Sequence, residues 1–361
     1  MACESDAQNP SYMFEAAFRA MEPVSFFISL AKQTGGGSLT EEIQSIILNI
    51  VIETSMQSGI RCNHTYVKNL LKKVIVAAES NYNIVVEGLY EQFANIALVQ
   101  DNVNSDDNNR IFKMISFLFP CYAMNLHVHL HCSLNMLEGD TGCALWPSSL
   151  LLSEVILSYP KLFKDKVCFE VGSGVGLVGI ALAHVGASKI ILTDGDTSSI
   201  KNMKYNLELN HLNSEKVSCK YLPWESASES ELTYCNPDFL LGADIIYDPK
   251  CLPHLVRVLC ILLKQKKQFV FKSADTHQEI ALQCDDRKED LVLEELDAPV
   301  AYIANVIRNK ETFDNFLLLA EEAQLSVMDI TEKRRPMNLL PYMLSFDRKS
   351  VRLLRVLYKS E

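Results

Sequence analysis

The chain has 361 residues, 48% of them apolar, and a formal net charge of −11, which allows two domains or one elaborated one and argues against nonspecific binding to nucleic-acid phosphates. Its eleven cysteines include no Cys-x-x-Cys pair, and the start Met-Ala-Cys-Glu-Ser-Asp lacks a basic stretch followed by an apolar core. The expectation is reduced thiols in the cytoplasm, with Asn63-His64-Thr65 a chance match to a glycosylation acceptor and no apolar run near the ~20 residues of a membrane span.

Residues 1–105 read as an all-α domain. Phe14, Phe18 and Phe26 belong to a first helix, and Gly35-Gly36-Gly37-Ser38 ends it. Thr40 is placed to cap a second, in which Ile43, Ile46, Ile47, Ile50 and Val51 recur at i, i+3, i+4, i+7 and i+8, with Glu41, Glu42, Gln44 and Asn49 on the polar side. Tyr66, Val67, Leu70, Leu71, Val74 and Ile75 repeat the pattern, and Gly88 to Phe93 open a further helix. Such stripes are the inward faces of a bundle, and the domain carries no chemistry of its own. Its expected job is substrate recognition or cover.

Asp101 to Arg110 is polar and aperiodic, a linker to a second domain over 111–361. There, Leu126, Val128 and Leu130 alternate with His127, His129 and His131, so the imidazoles share one face of a strand. With no carboxylate or His-x-x-His partner they read as a half-exposed face, and no metal is expected. Glu138 to Gly142 reads as a turn, giving a β-hairpin over 126–146. Trp146-Pro147-Ser148-Ser149 then opens a helix through Leu157.

Val167 to Val171 is a short apolar run that ends in Gly172-Ser173-Gly174-Val175-Gly176, with a helix from Leu177 to His184 and a second strand at Ile190 to Thr193 that ends in Asp194. This is a βαβ unit with a carboxylate at the second strand's tip, about twenty residues past the glycines, where a ribose would sit. Gly174 to Gly179 also satisfies the dinucleotide fingerprint, so two registers compete. Glu170 separates them: a carboxylate at a buried strand tip needs a partner, which a cationic cofactor or its amino-acid tail supplies and a pyrophosphate does not. S-adenosylmethionine therefore fits better than NAD.

Further along, helices are expected at 198–210, 252–263 and 312–323, and strands at 216–222, 237–244, 300–307, 325–331 and 351–358, the last two forming an antiparallel edge. The alternation specifies a mainly parallel sheet covered on both faces. Residues 264–299 read as an inserted surface loop, with Phe269-Val270-Phe271 as an alternative strand.

Leu145-Trp146, the Glu170 to Gly176 turn, Asp194, Leu222-Pro223-Trp224 and Gly242-Ala243-Asp244-Ile245-Ile246-Tyr247 make residues 130–260 resemble the seven-β-strand class I methyltransferases. Within these they resemble the protein-lysine branch that modifies translation elongation factor 2. His64-Thr65-Tyr66, Leu70-Leu71-Lys72 and Leu89-Tyr90-Glu91 look like the helical extension of that branch, and residues 301–312 look like its fifth strand and the turn after it. Pro147 departs from the Asp usual there.

The resemblance implies an α/β, class I (Rossmann-like) seven-stranded methyltransferase fold with an N-terminal all-α domain. It implies S-adenosylmethionine as cofactor, contacted by Trp146, Glu170, Gly172, Ser173, Gly174, Gly176, Asp194, Trp224 and Ala243, with Asp244 and Tyr247 catalytic. The implied protein is a monomer in the cytoplasm that acts on a protein substrate, elongation factor 2, without direct contact to nucleic acid or membrane.

Overall fold

A computed structural model describes residues 10–56, 63–80, 83–98, 110–118, 125–133, 141–212, 215–265, 298–333 and 345–359. The chain divides into two compact units. One comprises 1–147 with 201–212 and 338–348; the other comprises 148–200, 213–337 and 349–361. The first unit thus runs on through Pro147, and the division passes through a helix.

The first unit begins with five helices: α1 (Pro10–Arg19), α2 (Val24–Thr34), α3 (Glu41–Met56), α4 (His64–Glu79) and α5 (Glu87–Leu98). The single helix expected around Phe14, Phe18 and Phe26 is broken in two, because Met21 turns left-handed (φ 52°) and Pro23 precedes α2. The buried phenylalanine of α2 is Phe27, not Phe26; its ring lies 5.7 Å from that of Phe14. Thr40 caps α3 as expected, its Oγ1 accepting the Ile43 N–H at 3.4 Å. Gln44, expected on the polar face, is fully buried. Its amide donates to the carbonyls of Leu39 and Ile84 and accepts the Val86 N–H, which fastens the segment before α5 to α3.

The hairpin is displaced from its expected place. β1 (Arg110–Leu118) pairs antiparallel with β2 (Asn125–Ser133), Met114 opposite His129, so the strand carrying the histidines takes its partner from the N-terminal side. Thr141–Cys143 forms a 3-10 turn rather than a returning strand, and Ala144 makes only an isolated bridge to Ser133. β1 is hard to read from sequence because Lys113 and Ser116 interrupt its alternation.

The second unit is built on α6 (Pro147–Ser158), α7 (Pro160–Phe163), β3 (Val167–Val171), α8 (Leu177–His184), β4 (Lys189–Asp194), the start of α9 (Thr197–Leu209), whose remainder belongs to the first unit, β5 (Val217–Tyr221), α10 (Glu229–Thr233), β6 (Phe239–Ala243), α11 (Leu252–Leu263), β7 (Val300–Val306), α12 (Lys310–Glu322), β8 (Leu325–Asp329) and β9 (Val351–Tyr358). The sheet order is β5-β4-β3-β6-β7-β9-β8. The first five strands are parallel; β3, β4, β6 and β7 are largely apolar and buried, as strands covered by helices must be, while β5 at the edge is polar and half-buried, and β9 runs antiparallel between β7 and β8, the expected antiparallel edge. After β3 the chain winds outward through β4 and β5, then returns to β6 on the other side. That reversal opens a crevice at the carboxyl ends of β3, β4 and β6, where sheets of this kind bind ligands. The possible strand at 269–271 and most of the 264–299 insertion lie outside the described residues.

Within the first unit, Asn202 and Asn206 of α9 and Asn210 just past its end, about one turn apart, serve as a third strand for β2. Asn210 accepts the His129 N–H and donates to the His129 carbonyl; Asn206 does the same for His131, whose carbonyl also takes a bond from Asn202. A sheet edge left with unpaired backbone groups is costly when buried, and side-chain amides offer the same donor and acceptor as a strand. The Asn206→Ala variant leaves the buried His131 N–H without its acceptor and should cost about 1–3 kcal/mol. Asn210→Ala, at the exposed end of the row, should cost less. Urea unfolding of both variants checks the ranking, and equal midpoints would refute it.

Candidate cofactor and substrate site

β3 runs into a turn that only glycine can make. Gly172, Gly174 and Gly176 have φ of 67°, 52° and 83°, left-handed values that other residues adopt only under strain. A Cβ at Gly172 would also lie 2.9 Å from Ile245 Cγ2 and 3.5 Å from the Trp224 ring, so the backbone passes close to that indole. The turn is stitched to the end of β4. Ser173 N–H donates to the Thr193 carbonyl at 2.8 Å, Thr193 N–H to Ser173 Oγ at 3.1 Å, and Gly174 N–H to Asp194 Oδ2 at 3.0 Å. Ser173 is buried and its hydroxyl is committed within the turn, so it shapes the cradle from inside.

Glu170 lies under this turn, 1% exposed. Burial pushes its carboxyl up to about 8, with a bond from Ser173 opposing the shift and the charge of Asp194 adding to it. It therefore carries a proton at neutral pH. Burial favours the neutral acid. One oxygen, Oε2, has no hydrogen-bond partner.

Asp194 is half-buried at the tip of β4. Burial raises its carboxyl, and the N–H groups of Asp196 and Gly174 pull it back. Tyr221 ends β5 opposite it, and Leu222 N–H returns to the Asp194 carbonyl, which carries the chain to Trp224; the Trp224 carbonyl is held by Arg257. Ala243 ends β6. The arrangement fits an adenosyl amino-acid cofactor: a turn without side chains for close approach, a carboxylate beside it, an aromatic ring, and an orphaned polar oxygen beneath. Trp146 lies in the first unit, its indole N–H donating to the Thr141 carbonyl.

Asp244 follows β6 in a left-handed conformation, φ 57°. Its side chain, 5% exposed, is gripped by Arg308: Nη1 to Oδ1 at 2.9 Å and Nη2 to Oδ2 at 3.0 Å, with the Val306 N–H also donating to Oδ1. Asn305, buried at the end of β7, accepts the Ile246 N–H at 3.0 Å and donates to the Ile246 carbonyl at 3.3 Å. Tyr247 emerges from this segment 60% exposed. Partial burial first, then the nearby Cys251, Asp194, Asp248 and Glu225, raise its phenol, which stays protonated at neutral pH. Asn305 and Arg308 were not singled out as site residues in the sequence, although an asparagine in the apolar run Val300 to Ile307 marks a strand end with polar work to do.

The three histidines of β2 belong to the first unit. His127 bonds Ser116 Oγ, and His131 is buried against Phe112 and Tyr205. Among the described residues no group of three side chains could hold a metal ion.

A lysine methyltransferase family model matches residues 127–281. The chain is 24% identical over 320 residues to the human protein-lysine N-methyltransferase EEF2KMT, covering 84% of this chain and 85% of that protein. It is 27% identical over 297 residues to a putative uncharacterized protein of Dictyostelium discoideum, covering 74% of each. With protein-lysine N-methyltransferase EFM3 of Chaetomium thermophilum it shares 34% identity over 134 residues, 35% of this chain and 40% of that one. The chain thus resembles the seven-β-strand protein-lysine methyltransferases, has the class I Rossmann-like fold, and takes S-adenosylmethionine as methyl donor.

Between its ordinary 4.5 and the folded value of about 8, Glu170 is protonated in the folded protein and ionised in the unfolded chain. The folded state then binds the extra proton, so stability falls as pH rises through that window and is level below it. Glu170→Gln removes the ionisation. Its stability relative to wild type should grow by a few kcal/mol between about pH 5 and about pH 8.5, read from denaturant unfolding at both. A constant difference would show that Glu170 does not titrate there.

Proposed function

We propose that the chain is a protein-lysine N-methyltransferase that modifies translation elongation factor 2, with residues 111–361 catalytic and the N-terminal helices docking the partner. The observation that carries this reading is the exposed ring of Tyr247, held on a fixed segment at the carboxyl end of β6, the strand beside β3 and its glycine turn. Relatives named protein-lysine N-methyltransferases support it, as does a net charge of −11, which suits a basic protein surface. Among the described residues no helix is long and apolar enough to cross a membrane. The reading places the protein in the cytoplasm as a monomer.

When bound, S-adenosylmethionine supplies a methyl group already activated for displacement, so no protein nucleophile is required. What the chain must do is orient the amine and see that it is neutral. A lysine amine ordinarily titrates near ~10.4, and an aromatic wall that strips water from the ammonium lowers the cost of losing the proton. Tyr247 provides that wall, while Asp194, Glu225 and Asp248 around it draw the cationic side chain in. Asp244, tied by Arg308 and Val306, keeps the wall in place and leaves the amine's proton to pass to solvent.

Purified protein with methyl-labelled S-adenosylmethionine should label elongation factor 2 on lysine; label on another protein and none on the factor would sink the substrate assignment. Tyr247→Ala and Asp244→Ala should each reduce transfer by about tenfold or more while cofactor affinity by calorimetry stays within about twofold. Tyr247→Phe, which keeps the ring, should retain most activity.

A further inference from the structure

Asn305 at the end of β7 and Arg308 just beyond it hold the segment that the function depends on. Resting on the reading above, we propose that Arg308 and Asn305 are positioning residues for the transfer: they clamp Asp244 to Ile246 to the end of β7 and so set where Tyr247 stands.

The segment needs holding. A non-glycine residue in the left-handed region is strained and persists where its surroundings over-determine it. Here the surroundings are specific. Asp244 N–H reaches the Ala304 carbonyl at 2.9 Å, its carboxylate receives both arms of the Arg308 guanidinium, and a further bond comes from the Val306 N–H. Two residues on, Ile246 offers its N–H and its carbonyl to one amide, that of Asn305, which is 1% exposed and also donates to the Val306 carbonyl. Every bond comes from 304–308, so Tyr247 leaves from a segment anchored to one place.

The chemistry of the clamp is also particular. The Asp244 side chain is almost out of water, and a carboxylate there is tolerated because the planar guanidinium meets both oxygens at once. Lysine would bring the charge without the fork. Without Arg308, the buried carboxylate is left with one backbone donor, and the segment relaxes by turning Asp244 outward, which releases its backbone and moves Tyr247. Asn305 acts on the neighbouring residue by an independent route, so its loss should have the same consequence without any change in charge.

The test compares wild type with Arg308→Ala, Arg308→Lys, Asn305→Ala and the double variant Asp244→Ala/Arg308→Ala by three measurements. Hydrogen exchange of residues 244–248 should rise in Arg308→Ala and Asn305→Ala, with Arg308→Lys between them and wild type. Calorimetry should give S-adenosylmethionine affinities within about twofold of wild type. Transfer to the protein substrate should lose about tenfold or more in kcat in Arg308→Ala, with a smaller change in KM. The double variant should be no slower than Asp244→Ala alone, because Arg308 acts through Asp244. Unchanged exchange in 244–248 overturns the proposal whatever the substrate. Faster exchange with full kcat overturns the positioning role. Multiplicative losses in the double variant would show that Arg308 acts separately from Asp244. If wild type labels no protein lysine while the variants still exchange faster, the functional reading fails and the clamp stands.

Discussion

Where a parallel strand ends, its backbone leaves the ladder, and the N–H and C=O groups of the loop that follows must find other partners. This constraint organises the carboxyl edge of the sheet. Asp194 takes the N–H groups of Gly174 and Asp196, Ser173 takes that of Thr193, Asp244 takes that of Val306, and Asn305 takes both groups of Ile246. Apart from the Asp196 bond, which stays within the loop after β4, these bonds join the ends of neighbouring strands, so the turn after β3 is fixed by the end of β4, and the segment after β6 by the end of β7. The same solution appears at the outer edge of β2, where Asn206 and Asn210 replace a strand. Short polar side chains thus do for the loops and the hairpin what a neighbouring strand does elsewhere.

Electrostatics follows from that geometry. Glu170 and Asp244 are both buried acids beside the crevice, yet they solve the problem in opposite ways. Glu170 has no cation near it and keeps its proton; Asp244 has a guanidinium across both oxygens. Neither is a free carboxylate waiting for a substrate. The acidic groups whose charge reaches Tyr247 are the half-buried Asp194 and Asp248 and the exposed Glu225. In the proposed reaction the buried acids hold structure while the outer ones deal with charge. This division suits a displacement in which the protein aligns groups and performs no covalent step of its own.

Tyr247 and the turn at Gly172 are linked through the core as well as through bonds. The Ile245 side chain packs where a Cβ on Gly172 or on Gly242 would be. Any shift in the segment after β6 is therefore felt at the cradle, and the glycines are required as much by this packing as by their backbone angles.

The sequence by itself determined most strands and helices of the second unit and which residues stand at their ends. Val167–Val171, the glycines, Asp194 and the runs at 252–263 and 351–358 were legible because they are local: hydrophobic period, left-handed turns and strand tips are written in consecutive residues. The mainly parallel sheet with its antiparallel edge also followed from alternating strands and helices, while the order of the seven strands came from the structure. What only the tertiary structure decided depends on distant partners. The hairpin partner of β2 proved to be 110–118 rather than a stretch near 146, since strand pairing is a choice among segments. Gln44 became a buried strap, and Glu170 a neutral acid, because burial sets both bonding and charge. The fork from Arg308 to Asp244 spans sixty-four residues of sequence, and no local pattern encodes it: such a bond exists only once β6 and β7 lie side by side.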